Sequence, residues 1–337
     1  MKQSIKTRHG LTTLTQGIIS GDRIMLGQGI TLMESNRADD EELATSLLEE
    51  ILPYTGGSMR IGITGIPGVG KSTFIESFGN HVISHAKKLA VLSIDPTSPL
   101  TGGSILGDKT RMDTLSKDPR AFIRPTPSSS SIGGVSMRTR ESILLCEAAG
   151  YDVVIVETVG VGQSEFAVKE MIDFFLLLMI PGAGDELQGM KKGINELADA
   201  IIITKADGAN HHAAMKAQAI YAEAMHWLET DNSWATPVLT SSAITGQGIS
   251  EVWSMVNDFF EQSKANGRLD ASRRAQQSSW FNSYFAELLN EDVRKHARAE
   301  ALRIELESDV ISKNHSVRAA ARQLLEAYRD EIRNNKS

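Results

Sequence analysis

Gly65-Ile66-Pro67-Gly68-Val69-Gly70-Lys71-Ser72 carries the spacing G-x-x-x-x-G-K-[ST], the pattern of a phosphate-cradling P-loop. Its glycines let the backbone wrap a phosphate with the N–H groups turned inward. The Lys71 ammonium reaches the β- and γ-phosphates, and the Ser72 hydroxyl offers a coordination position to Mg²⁺. The flanks agree. Met59-Arg60-Ile61-Gly62-Ile63-Thr64 is a short apolar run of strand type, and Thr73-Phe74-Ile75-Glu76-Ser77-Phe78 opens a helical pattern. Strand, glycine-rich loop and helix N-terminus together direct a helix dipole at the bound anion. An ordinary glycine-rich turn is the competing reading, and it accounts for neither flank.

Outward from the loop, strands alternate with helices from residue 59 to about 262. The strand candidates are Ile61 to Thr64, Leu89 to Ile94, Ala121 to Arg124, Val153 to Glu157, Phe174 to Ile180, Ala200 to Thr204 and Val238 to Ser241. Several are unbroken aliphatic and β-branched runs. That marks strands covered on both faces, hence an α/β fold with a mainly parallel sheet between helices. Strand order is not legible. Residues 1–57 read as an N-terminal helical extension, with Ile24-Met25-Leu26 and Ile30-Thr31-Leu32-Met33 at helical spacing. A second helix there runs from Glu41 to Leu52 and ends at Pro53-Tyr54-Thr55-Gly56-Gly57. After residue 263 strand signals vanish. A stripe of Trp280, Phe281, Tyr284, Phe285, Leu288 and Leu289 and charged helical sequence to Ser337 follow. The stripe packs on the main domain or on a second subunit. A helix pair this polar gains little from burial alone, which favours a dimerisation arm over 263–337.

A net charge of −7 argues against nucleic acid as the main partner. No apolar run reaches the roughly 18 residues of a membrane span. The N-terminus lacks the apolar core of a signal peptide. The lone Cys146 excludes an intrachain disulfide and a C-x-x-C metal clip, and reads as a small core residue of a helix rather than a reactive thiol. The cytoplasm is the expected compartment.

Three downstream segments bear on the nucleotide. Thr204-Lys205-Ala206-Asp207 is similar to the N/T-K-x-D guanine motif. The Asp207 carboxylate can accept two hydrogen bonds from the guanine N1–H and amine, a pair adenine does not offer. Thr204 stands where Asn is commoner, so a stabilising amide contact is expected to be missing. A strand end followed by a solvated Lys-Asp pair is the alternative. Thr240-Ser241-Ser242-Ala243 resembles the segment that closes over the guanine O6. Val153-Val154-Ile155-Val156-Glu157-Thr158-Val159-Gly160 ends an apolar strand in an acid and then x-x-G, where Glu157 would stand near Mg²⁺ and the Gly160 N–H would sense the γ-phosphate. An acid buried there without a cation would be costly. Val161 follows Gly160 and cannot orient water, with Gln163 as a weak substitute, so slow intrinsic hydrolysis accelerated by a partner is expected. Asp95 and Asp108 lie in Gly/Ser/Pro-rich loops suited to a Mg²⁺-sensing switch, or else they cap turns. Residues 181–193 carry four glycines and Lys191-Lys192, a cationic loop that closes on nucleotide, meets a partner or is simply solvated. His211 and His212 read as a solvated helix start rather than a metal pair, since no cysteine or acid stands near.

The set Gly65 to Thr73, Asp95-Pro96-Thr97-Ser98, Gly102 to Arg111, Glu157 to Glu165, Gly184 to Gly193 and Lys205/Asp207 resembles the methylmalonyl-CoA-mutase-associated GTPases. These belong to the metallochaperone-type branch of P-loop GTPases, and their older label is arginine/ornithine transport ATPase or kinase. The resemblance covers nearly the whole chain and is weakest at the C-terminus. It implies a P-loop GTPase domain over 58–262 that binds GTP/GDP and Mg²⁺. Lys71, Asp95, Asp108 and Glu157 would be catalytic, with Ser72, Asp95, Asp108 and Glu157 around the metal. Gly65 to Thr73, Gly160, Lys205, Asp207, Ser241, Ser242 and Ala243 would hold the nucleotide. It further implies a homodimeric chaperone of an adenosylcobalamin-dependent acyl-CoA mutase, with Gln188 and Lys191 in the switch that couples to it. A kinase linked to amino-acid transport, a metal-insertion GTPase and a regulatory module without turnover are the alternatives. The first lacks an acceptor site, the second lacks soft ligands, and Val161 keeps the third open.

Overall fold

The structure is a computed structural model. It describes residues 9–35, 37–95, 112–127, 132–158, 164–182, 197–228 and 234–334, with backbone only at 38, 95, 126–127, 132–136, 164 and 228. All seven expected strands form: β1 (Met59–Gly65), β2 (Leu89–Asp95), β3 (Ala121–Pro127), β4 (Val153–Thr158), β5 (Phe174–Met179), β6 (Ala200–Ile203) and β7 (Val238–Thr240). They make one sheet in the order β3-β2-β4-β1-β5-β6-β7 with every pairing parallel. Every residue of β4 and β5 is buried, as the unbroken aliphatic runs require of strands covered on both faces.

The helices supply the two covers. On one face α4 (Lys71–Ser84) and α8 (Ile249–Ala265) bring Phe74, Phe78, Trp253 and Phe260 against Ile61, Ile63, Val91 and Leu176. On the other, α1 (Leu11–Ile19), α2 (Arg23–Met33), α3 (Ala38–Ile51) and α5 (Ile132–Ala148) bury Ile18, Leu26, Ile30, Leu47 and Ile51 against Ala90, Leu92, Val154 and Val156. The N-terminal helices therefore complete the main core. Asp22 starts α2 by accepting from the Ile24 and Met25 N–H groups at 2.7 and 3.2 Å. Cys146 lies buried in α5, and burial, with Glu147 beside it, pushes its thiol pKa up, which makes it a core residue rather than a nucleophile. The remaining helices of the sheet domain are α6 (Ser164–Lys169) and α7 (His211–Leu228).

A charge cluster secures the start of β1. Arg60 grips Glu147 through Nε and Nη2, both at 2.9 Å, and the Ser58 hydroxyl and Gly56 N–H donate to the same carboxylate at 2.7 and 2.8 Å. Burial pushes the Glu147 carboxyl up, and these donors overrule it and hold the group below its ordinary value. Arg273 donates to Asp173 Oδ1 at 2.8 Å and Oδ2 at 2.6 Å, and to the Ser58 carbonyl at 2.6 Å.

The chain forms two compact units, residues 1–276 and 277–337, with the boundary inside α9 (Arg268–Lys295). In the second unit α10 (Ala297–Ile311) pairs with α11 (Val317–Asn334). The Glu331 carboxylate caps α10 by accepting from the Ala299 N–H at 2.9 Å, a favourable place for an acid. Ala299, Leu306 and Ala320 are buried there, whereas Phe281 and Phe285 are 69% and 54% exposed with their rings stacked. Among the described residues no helix is long and apolar enough to cross a membrane.

Candidate functional site

Parallel pairing brings the C-terminal ends of β2, β4 and β1 side by side, and the quoted loop leaves β1 there. A Cβ on Gly65 would stand 2.6 Å from the Leu178 carbonyl of β5, so only glycine lets the loop turn this close to its neighbour. Lys71 opens α4 and folds back, its ammonium donating to the Gly65 carbonyl at 2.8 Å and lying 3.5 Å from that of Ile66. The loop's cation thus lies over the cradle its N–H groups would offer a phosphate. Ile66 and Gly70 are half-buried, Pro67, Gly68 and Thr73 exposed, and Val69 buried.

Register sets the acid. Ile63 of β1 pairs with Glu157 of β4, and Ser93 of β2 pairs with Glu157 from the other side. Glu157 is 2% exposed; its Oε1 lies 3.4 Å from the Ser72 hydroxyl and its Oε2 accepts from Ser93 Oγ at 3.1 Å. One residue on, the buried Thr158 hydroxyl donates to Thr64 Oγ1 at 2.7 Å. A carboxylate this deep needs polar partners, and two hydroxyls supply part of them. The Glu157 carboxylate and the Ser72 hydroxyl are oxygen donors of the kind that suits a hard cation such as Mg²⁺. The backbone of Asp95 ends β2 at the same sheet edge, in register with Pro127. Its side chain lies outside the described residues, as do Asp108, Gly160, Val161, Gln163, Gln188 and Lys191.

The guanine-type segment follows β6 and closes onto the loop. Thr204 Oγ1 donates to the Val69 carbonyl at 2.8 Å and lies 3.0 Å from that of Met179, which also accepts from the Thr204 N–H at 2.7 Å. Threonine thus reaches the phosphate loop from this position through its hydroxyl. Lys205 takes the left-handed conformation (φ 56°), uncommon for a side-chain-bearing residue, and its ammonium reaches the Gly68 carbonyl at 2.7 Å. Two successive loop carbonyls are thus held by two successive residues of the base segment. Asp207 is half-buried at the head of the short turn Gly208–Asn210 without capping it.

The Ala206 N–H donates to the Ser241 carbonyl at 3.1 Å and the Ser241 N–H to that of Ile203 at 2.9 Å, which stitches the segment after β7 alongside. Ser241 and Ser242 are buried, Ala243 is half-buried, and Ser241 Oγ has no hydrogen-bond partner among the described residues. The turn then reverses at Gly248 (φ 78°), where a Cβ would meet the Thr240 carbonyl at 2.2 Å. His211 and His212 are exposed at the start of α7, and no group of three His, Cys, Asp or Glu among the described residues could hold a metal.

The fold thus gathers Lys71, Ser72, Glu157, Thr204, Lys205, Asp207 and Ser241 at one sheet edge. Sequence reasoning missed Ser93 and Gly248. Ser93 had a signal, as the one polar residue inside the apolar run Leu89 to Ile94.

Comparison with known proteins places these features in a family. The profile of the family described as "Methylmalonyl Co-A mutase-associated GTPase MeaB" matches residues 26–300. A protein of Caulobacter vibrioides named "Putative GTPase" is 47% identical over 94% of this chain and 98% of its own. The mouse "Methylmalonic aciduria type A homolog, mitochondrial" is 42% identical over 97% of this chain and 81% of its own. A solved structure described as "LAO/AO transport system kinase" superposes with a TM-score of 0.75 at 39% identity, covering 96% of this chain and 99% of the other.

Proposed function

Because the chain belongs to the methylmalonyl-CoA mutase-associated GTPase family, we propose that it is a GTP-hydrolysing chaperone of an adenosylcobalamin-dependent acyl-CoA mutase. It would gate delivery of the cofactor and protect the mutase. The observation that carries the nucleotide half is the double grip of Thr204 and Lys205 on the Val69 and Gly68 carbonyls. Base recognition and phosphate binding then share one rigid frame. The mutase-related name of the mouse relative supports the partner half.

In this reading the N–H groups of Gly65 to Thr73 and the N-terminus of α4 receive the β- and γ-phosphates. Lys71 exchanges the Gly65 and Ile66 carbonyls for phosphate oxygens. Asp207 accepts the guanine N1–H and amine, with Ser241, Ser242 and Ala243 closing over O6. Ser72 and Glu157, joined by Asp95 and Asp108, would hold Mg²⁺, which supplies charge neutralisation of the β,γ oxygens. Gly160 reads the γ-phosphate. With Val161 in place of a water-orienting side chain, intrinsic hydrolysis is slow and partner contact through Gln188 and Lys191 speeds it. A homodimer through residues 263–337 belongs to the same proposal, with exposed Phe281 and Phe285 as its apolar face, and so does a cytoplasmic setting.

The test is GTP turnover with and without a candidate cobalamin-dependent mutase, alongside a pull-down. Stimulated turnover in a complex is expected. Neither stimulation nor complex with any such mutase would overturn the chaperone reading, and ATP-dependent phosphoryl transfer to a small molecule would replace it with the kinase reading.

A further inference from the structure

We infer that Ser93 is the positioning residue that holds Glu157 ready for the divalent cation at the phosphate site. The inference rests on the nucleotide reading above. Glu157 has two carboxylate oxygens with different neighbours. Oε1 faces the Ser72 hydroxyl at 3.4 Å, a long contact that Ser72 would surrender on turning its oxygen to a cation. Oε2 accepts from Ser93 Oγ at 3.1 Å, and nothing about cation binding at Oε1 disturbs that bond. The Ser93 bond therefore stays fixed while the Ser72 contact exchanges.

Ser93 is fully buried, in a strand whose neighbours Leu92 and Ile94 are core aliphatics. A hydroxyl at such a point costs stability unless it is bonded. Alanine or valine would suit the strand better, so the hydroxyl is explained by the acid it serves. Backbone register fixes the pair, since Ser93 and Glu157 face each other across β2 and β4. The bond also joins β4 to the strand whose last residue is Asp95, two positions on. Ser93 does not itself reach the phosphate loop; it acts through Glu157, as an outer partner that orients a ligand.

The experiment uses the full chain with Mn²⁺ as a paramagnetic stand-in. Mn²⁺ affinity of the GDP complex is read by electron paramagnetic resonance for wild type, Ser93→Ala, Glu157→Gln and the double variant. GDP affinity without divalent ions is measured in parallel. Ser93→Ala should weaken Mn²⁺ binding about 10- to 100-fold, leave metal-free GDP affinity unchanged, and have no further effect in the Glu157→Gln background. Unchanged Mn²⁺ affinity, additive effects of the two substitutions, or an equal fall in metal-free GDP affinity would overturn the inference. A wild-type GDP complex that binds no Mn²⁺ would overturn the assignment of a cation to Ser72 and Glu157, and a wild type that binds no GDP would overturn the nucleotide reading itself; either takes the inference with it.

Discussion

Thr204→Val removes one hydroxyl and keeps the side chain's shape. Two carbonyls lie within reach of that hydroxyl, but they are not equally affected. Met179 O still accepts from the residue-204 N–H at 2.7 Å, whereas Val69 O loses the 2.8 Å bond that Thr204 gives it. Val69 is fully buried, and leaving one buried carbonyl unpaired costs about 1–3 kcal/mol. If that bond sets the shape of the phosphate loop, the cost appears in the nucleotide-competent state, and GDP affinity falls roughly 5- to 150-fold. Titration with a fluorescent GDP analogue reads the affinity, and urea unfolding of the nucleotide-free protein reads the stability. Thr204→Ser, which keeps the hydroxyl, should stay within a few fold of wild type. A Thr204→Val protein with wild-type GDP affinity, whether or not it is less stable, would refute the claim that this bond couples the base segment to the loop.

Asp207→Asn exchanges an acceptor of two N–H groups for one acceptor and one donor, which matches xanthine instead of guanine. GDP affinity should fall about 100-fold or more and XDP should become the better ligand in competition; retained guanine preference would contradict the assignment of Asp207. Arg273→Ala leaves the fully buried Asp173 side chain without its ion-pair partner, with the Arg60 N–H still donating to it, and should cost up to about 3–5 kcal/mol in urea unfolding. Nucleotide affinity should hold, because the cluster sits at the start of β1 and the loop at its end. Burial pushes the Glu141 carboxyl up to about 7 against the pull of Arg138, from an ordinary value of 4.5. Stability from the protonated carboxyl is full below 4.5 and is lost as pH rises through about 7, where the folded state carries the charge at a half-buried position. Glu141→Gln should be more stable than wild type by about 3 kcal/mol at pH 8 and equal to it near pH 4.5; a difference independent of pH would contradict the assignment.

Much of this fold is legible locally. Val153-Val154-Ile155-Val156 and Phe174-Phe175-Leu176-Leu177-Leu178-Met179 announce buried strands because a strand covered on both faces needs apolar side chains at every position. The glycines of the phosphate loop, the lysine after them and the Thr204-to-Asp207 segment are short patterns whose chemistry lies in adjacent residues. Those signals determined the α/β class, the seven strands and most of the site's residue types.

Strand order and the links between motifs were not legible, because no local pattern encodes which strand lies beside which. The bond from Thr204 to Val69 spans 135 residues and the approach of Ser72 to Glu157 spans 85. In the sequence Thr204 stands where asparagine is commoner; only the packed loop reveals its hydroxyl at hydrogen-bond distance from the Val69 carbonyl. Ser93 drew no notice inside an aliphatic run, and its role shows only with β2 beside β4. Which chemical groups the chain owns, and which elements carry them, is written in the order of its residues. Which of those groups meet depends on packing, because parallel pairing in the order β3-β2-β4-β1-β5-β6-β7 is a long-range choice that brings distant strand ends to one edge.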